Sequence, residues 1–94
     1  MIITYEIEKT ITTKTVSLKT LTETTHTDVI KYIDADRKTV LNIFKEMVDT
    51  YSTWIVDDDI TDYGIPSFVA HKETETQSTK VELIMRTGMY YENN

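Results

Sequence analysis

The side chains of this sequence favour β-structure along most of its length. Isoleucine, valine and threonine occupy 36 of the 94 positions, and their branched Cβ atoms suit a pleated sheet better than a helix. No glycine precedes Gly64, so the first half of the chain has few residues that favour tight turns. A chain of this length forms one domain. We therefore predict a single domain, residues 1–94, built mainly of strands that are joined by polar loops.

The period of the apolar residues predicts where the first strands lie. Apolar and polar residues alternate from Met1 to Ile11, as in a strand with one buried face. The apolar positions change parity at Val16, which predicts a turn or bulge near residues 12–14. The polar segment 21–27 is predicted to be a connection, and a short strand is predicted at 29–33.

One amphipathic helix is predicted from Ala35 to Thr53. Apolar residues recur in this segment at intervals of three and four, with polar residues opposite. Asp34 or Asp36 can cap the first turn, because a carboxylate accepts hydrogen bonds from free backbone amides and suits the positive end of the helix dipole. The side chains predicted to face the sheet are Val40, Phe44, Met47, Tyr51 and Trp54.

Two further strands are predicted after the helix and an aspartate-rich loop. One begins at Phe68 and continues to Thr76, and the other contains the alternating Val81, Leu83 and Met85. Consecutive strands with short links form antiparallel sheets, and an amphipathic helix covers one face of such a sheet. We therefore predict an α+β fold: an antiparallel sheet of four to five strands with one packed helix, in the order β-β-β-α-β-β or β-β-α-β-β.

No metal, cofactor or catalytic site is predicted. The chain has no cysteine, which excludes disulfides and thiolate ligands, and its two histidines, His26 and His71, lie outside any recognised zinc spacing. The segment WIVDDDITDYGIP (54–66) has four aspartates, but a calcium loop that starts at Asp59 would place Ala70 where the bidentate glutamate belongs. Its polar surroundings also argue against a pair of catalytic carboxylates with separated pKa values.

The negative charge is concentrated in one third of the chain. From Glu46 to Glu75 there are eight acidic residues and one basic residue, a net charge of −7, whereas the rest has eight acidic and nine basic residues, or +1. Nucleic acids and anionic membranes are bound chiefly through lysine and arginine, so we expect no direct contact with either. The amino terminus does not resemble a signal peptide, and a cytoplasmic location is expected, in the host cytoplasm if the protein is viral.

The acidic segment is predicted to contact a basic surface on another protein. Alternate residues of a strand share one face and stand roughly 6.6 Å apart, so Glu73 and Glu75 are expected to present carboxylates at a spacing comparable to that of DNA phosphates. Aromatic side chains among acids are typical anchors of protein interfaces. The predicted partner-binding residues are Asp57, Asp58, Asp59, Asp62, Tyr63, Glu73 and Glu75. The alternative left open is that these acids only solvate the surface.

These features favour a non-enzymatic acidic binding or inhibitor protein, whose partner is a nucleic-acid-binding protein or a nuclease. In size, charge and composition the chain resembles phage-encoded inhibitors such as anti-CRISPR and anti-restriction proteins, which implies an anti-defence protein that acts as a DNA mimic. No residue motif carries this resemblance, so it assigns no site. Two alternatives stay open: an assembly subunit that forms a homo-oligomer, such as a homodimer, through sheet edges, and a small enzyme or metal protein that uses the aspartate loop.

Overall fold

The described residues of the chain form one antiparallel sheet with a single helix on one face. The structure is a computed structural model, and it describes residues 2–60 and 65–90. Its elements are β1 (Ile2–Ser17), β2 (Thr22–Asp34), α1 (Arg37–Asp49), β3 (Ile55–Ile60), β4 (Ser67–Glu73) and β5 (Gln77–Tyr90). The strands lie in the order β2-β1-β5-β4-β3, and all neighbours are antiparallel. The predicted α+β fold with one helix is confirmed.

The element order differs in detail from the prediction, because two strands precede the helix and three follow it. The turn or bulge predicted near residues 12–14 is wrong: β1 continues to Ser17 without a register shift, and Thr13 pairs with His26 on one side and Thr79 on the other. The segment 21–27, predicted as a connection, lies almost entirely in β2. Apolar and polar residues do not alternate in this segment. Its threonines are β-branched, and backbone hydrogen bonds to a neighbouring strand are enough to hold such residues in a strand.

The β1–β2 hairpin turns through residues 18–21. Its last residue, Leu21, has a φ of 53° and is 86% exposed. This left-handed conformation normally belongs to glycine or asparagine, and a leucine in it carries roughly 1–2 kcal/mol of local strain. The turn is braced by a hydrogen bond of 2.7 Å between the hydroxyls of Thr20 and Thr22. This hairpin therefore turns without glycine, and a strained, solvent-exposed leucine takes the left-handed position.

The helix is shorter than the predicted segment but presents the predicted face. It begins at Arg37 and ends at Asp49, and residues 50–53 form turns that continue its last backbone hydrogen bonds. Val40 and Phe44 are fully buried, and Tyr51 is buried although it lies beyond the helix. The other two residues predicted to face the sheet, Met47 and Trp54, are partly buried against the same core.

The core lies between α1 and one face of the central strands. Ile7 pairs with Met85, and Leu83 pairs with Phe68 on the other side of β5. The buried core consists of Ile7, Val40, Phe44, Tyr51, Phe68, Ala70, Val81, Leu83 and Met85. We call this side of the sheet the helix face and the opposite side the open face, which no described element covers. Side chains alternate between these two faces along every strand.

The sheet extends well beyond the helix, which gives the described part of the molecule extents of 59 × 30 × 16 Å. Past Ile11 the helix face becomes polar, because the next positions of β1 on that face are Thr13 and Thr15. Thr15 pairs with Thr24 of β2. Only one end of the sheet therefore encloses an apolar core, and strand pairing alone orders the other.

We predict that Phe44→Ala lowers the free energy of unfolding by about 3 kcal/mol or more, because it removes a large side chain and leaves a cavity. Phe44 is 0% exposed. Ile65→Ala serves as the control, since Ile65 is 66% exposed and should change stability by less than about 0.5 kcal/mol. Chemical denaturation of both variants measures the effect. Equal stabilities would show that the helix does not depend on Phe44.

Asp36 is the N-cap residue of α1, with φ −97° and ψ 110°. Its carboxylate accepts a hydrogen bond from the hydroxyl of Thr39. This bond is the main reason why the pKa of Asp36 lies below its ordinary value, and the nearby charge of Lys38 acts in the same direction. A carboxyl with such a shift stabilises the fold above its unfolded pKa, and the contribution is lost as the pH falls through the folded-state pKa.

We predict that Asp36→Asn lowers the melting temperature at neutral pH and that the difference from the unmodified protein shrinks as the medium is acidified through the folded-state pKa of Asp36. Asp36 makes no side-chain capping hydrogen bond to the helix backbone. Asparagine keeps an oxygen that can accept the Thr39 hydroxyl, so the variant removes the charge and retains this hydrogen bond. Thermal unfolding of both proteins at a series of pH values between neutral and acidic checks this. A difference that stays constant across the series would contradict it.

Candidate functional site

Asp57, Asp58 and Asp59 lie on β3, at one edge of the sheet, and not in a loop as the sequence predicted. Ile55 and Val56 precede them and Ile60 follows, and all residues of β3 are exposed. Aspartate is disfavoured inside sheets, but at an edge its carboxylate stays in water while the backbone still pairs with β4. The edge position explains why three successive aspartates can form a strand.

A β-bulge interrupts the pairing of β3 at Asp57. Val56 pairs with Ala70, Asp58 pairs with Val69, and the register shifts between them, so Asp57 has no partner residue on β4. The Asp57 carboxylate instead lies 2.7 Å from Nδ1 of His71. This hydrogen bond joins the two strands at the point where the ladder is broken, and a bulge of this kind turns an edge strand away from further pairing.

The remaining two aspartates point to opposite faces of the sheet. Asp59 pairs with the buried Phe68 and therefore lies on the helix face, whereas Asp58 pairs with Val69 and lies on the open face. On the helix face Asp59 lines a shallow cleft of about 320 Å³ with Lys45, Val48 and Asp49. Carboxylates thus surround the edge on both sides, and we call Asp49, Asp57, Asp58 and Asp59 together the acidic edge.

Little positive charge lies at the acidic edge besides Lys45, which lines the cleft with Asp49 and Asp59. Among the described residues, no lysine or arginine forms an ion pair with Asp58 or Asp59, and the lysine ion pairs of the described chain join Lys31 to Glu6 and Glu8 and Lys80 to Glu82. Lys72, the one basic residue between Glu46 and Glu75, lies 4.9 Å from the ring centre of Trp54. The charge of Asp58 and Asp59 is therefore available to an external partner.

The helix adds acids where they are unfavourable for its own stability. Its last turn contains no basic residue, and both Glu46 and Asp49 lie near its carboxyl end. Negative side chains at this end of a helix oppose the macrodipole and cost roughly 0.3–1 kcal/mol each. Asp49 was missed as a site residue from the sequence, although its position in an acidic last helical turn, within the charged segment, is the signal that could have found it.

Glu73 and Glu75 form a separate acidic group at the β4–β5 hairpin. Glu73 ends β4 and Glu75 lies in the turn, so the prediction that both stand on one face of a strand is wrong. Hydrogen bonds between Thr74 and Gln77 close this turn. Glu73 lies four residues beyond Val69, the partner of Asp58, which corresponds to roughly 13 Å along β4. The predicted negative face is therefore divided in two.

The hairpin acids line a shallow groove of about 270 Å³ beside the far end of β1. Lys14 and Glu23 also line it, and the Val16 amide donates a hydrogen bond of 2.8 Å to the Thr76 carbonyl across it. A lysine among three glutamates partly offsets their charge. The cleft at the acidic edge has a similar composition, because Lys45 lies there with Asp49 and Asp59.

Two of the predicted site residues, Asp62 and Tyr63, lie outside the described residues. Within residues 2–60 and 65–90, no group of three histidine, aspartate or glutamate side chains comes together as metal ligands. In the same ranges, no helix is long and apolar enough to cross a membrane. Comparison with protein-family models, with curated proteins and with solved structures found no significant match for the chain.

Proposed function

We propose that this protein is a non-enzymatic acidic binding protein that covers a basic surface on a protein partner. The observation that carries the proposal is the acidic edge, where exposed carboxylates project from both faces of β3 without lysine or arginine partners in the described chain. Charges arranged in this way accelerate encounter with a surface of opposite sign, because the attraction acts before contact is made.

A second feature supports binding over simple solvation. Carboxylates on an edge strand also prevent unwanted strand pairing, so β3 by itself is consistent with a purely protective role. Asp49 is different, because it lies on the helix and can protect no strand edge. An acid that opposes the helix dipole and lines the same cleft as Asp59 is better explained by recognition.

The finer parts of the proposal rest on charge and composition. A partner that offers a dense row of lysines and arginines is most often one that binds nucleic acid, such as a nuclease. The resemblance in size and charge to phage-encoded inhibitors supports an anti-defence role in the cytoplasm of a host cell, with the acidic edge taking the place of nucleic-acid phosphates. In this proposal the hairpin glutamates Glu73 and Glu75 form a second, separate contact.

We predict that Asp58→Asn with Asp59→Asn lowers the association rate with a captured basic partner by about tenfold at low salt, and by much less at high salt. Partners are first isolated from cell lysates at low ionic strength, and rates are then measured with the purified partner. Asp57 is left unchanged so that its bond to His71 and the bulge are retained. Circular dichroism confirms that the variant is folded.

The matched control is Glu8→Gln with Glu82→Gln. It also removes two negative charges, but from carboxylates that Lys31 and Lys80 already contact. We expect this control to retain most of the association rate. Equal losses in both double variants would show that only net charge matters, and unchanged rates in the Asp58 and Asp59 variant would exclude the acidic edge as the contact surface.

A further inference from the structure

The outer edge of β2 is long and regular, and its side chains are exposed. β2 runs from Thr22 to Asp34, and all of its residues are exposed except Tyr32 and Asp34, which are partly buried. It pairs with β1 along this whole length without a register shift. Its other side has no strand neighbour in the described part of the chain. Such an edge presents a row of free backbone N–H and C=O groups, which is a template for another strand.

The two edges of the sheet differ in how they are protected. β3 is short, bulged at Asp57 and acidic, and each of these features discourages a further strand. β2 has no bulge, and acidic and basic side chains alternate along it: Glu23, His26, Asp28, Lys31 and Asp34. Only the β3 edge thus combines a short strand, a bulge and charges of a single sign.

The charge pattern of β2 is complementary to itself in one antiparallel register. If Thr27 faces Thr27 of a second copy, paired positions add up to 54. Glu23 then faces Lys31 of the second copy, and His26 faces Asp28, and both pairs occur twice because of the two-fold axis. Directly opposed residues in an antiparallel pair lie on the same face with Cβ atoms about 4.5–5.5 Å apart. Glu23 would therefore join Lys31, which also contacts Glu6 and Glu8 of its own chain, and His26 would lie beside the Asp28 of its own chain and that of the second copy.

Neighbouring registers lose this match. An antiparallel pairing of two identical strands must join outward-facing backbone groups, so the allowed alternatives move the two-fold axis by one residue. Centring on Asp28 places Asp28 against its own copy and Lys31 against Thr25. Centring on His26 places His26 against its own copy and Lys31 against Leu21. Two opposed Asp28 carboxylates are destabilising, and the register centred on His26 gives Lys31 no acidic partner across the strands, which favours the register centred on Thr27.

The same register also covers exposed apolar side chains. Val29 is 55% exposed and Ile30 is 54% exposed, and they would face Thr25 and Thr24 of the second copy. Threonine and aliphatic side chains pack well as cross-strand pairs. The structure therefore points to a homodimer, and we propose that two copies pair through β2, antiparallel and centred on Thr27, to extend the two five-stranded sheets into one.

A single-cysteine variant tests this register directly. The chain has no cysteine, so Thr27→Cys introduces one thiol per copy. The two-fold axis would bring the two Cα atoms to about 4.5–5.5 Å, within the range that a disulfide spans. We predict that Thr27→Cys forms a covalent dimer under mild oxidation. The control, Thr25→Cys, has the same chemistry on the same face, but its two thiols would lie about four residues, or roughly 13 Å, apart.

A mixture of two different single-cysteine variants provides a positive control for the same register. Thr25 should face Val29 of the second copy, so Thr25→Cys and Val29→Cys should cross-link when mixed and should not cross-link when each is oxidised alone. Light scattering coupled to gel filtration gives the mass of the unmodified protein over a range of concentrations. A monomer at every concentration up to the millimolar range, or faster cross-linking of Thr25→Cys alone than of Thr27→Cys, would overturn the proposal.

Charge reversal tests the contact between Glu23 and Lys31. Glu23→Lys would place two lysines against each other in the proposed dimer and should raise the dimer dissociation constant at least fivefold at low salt. Asp58→Lys carries the same charge change on β3, at the opposite edge of the sheet, and should leave the dissociation constant unchanged. Circular dichroism of both variants separates this effect from unfolding. An equal effect of both reversals would contradict the register.

Discussion

The packing of Phe44 and Val40 against one end of the sheet determines where the core lies and which parts of the sheet stay exposed. These side chains are fully buried against Phe68, Val81 and Leu83, and this core is where one helix and one sheet face meet. Beyond Ile11 the helix face is occupied by threonine, so strand pairing continues without a core. A sheet that is covered on one face and at one end leaves both of its edges in solvent, and each edge must be controlled by its own sequence.

The two edges solve this problem in different ways. At β3 the bulge, the bond from Asp57 to His71 and the exposed carboxylates of Asp58 and Asp59 prevent a further strand and at the same time create negative potential. The same side chains can therefore protect the edge and bind a partner. Only an acidic residue outside the strand can distinguish the two roles, because it cannot protect the edge. Asp49 is such an acid. At β2 no comparable protection exists, and a strand whose charges complement themselves is suited to pairing.

The sequence alone predicts the parts of this fold that depend on side-chain burial. The helical spacing of Val40 and Phe44 and the alternation of Val81, Leu83 and Met85 reflect contacts with one core, so their periods are visible in the sequence. The β-structure of 21–27 and of Asp57–Asp59 is not visible in this way, because backbone pairing with β1 and β4 stabilises both segments. The division of the predicted acidic face has the same origin, since strand register alone determines that Glu73 lies far from Asp58.

The positions of β2 and β3 at opposite edges of the sheet affect how the proposed dimer would bind a partner. β2 and β3 are the two opposite edges of the same five-stranded sheet, so a dimer joined through β2 would carry one acidic edge at each end. Nine strand spacings separate these ends, which amounts to roughly 43 Å at 4.8 Å per spacing. Two negative surfaces held at a fixed separation can bind a partner with two basic sites, or two copies of one partner, more tightly than either surface alone. Self-association at one edge would thereby strengthen recognition at the other without any change in the acidic edge itself.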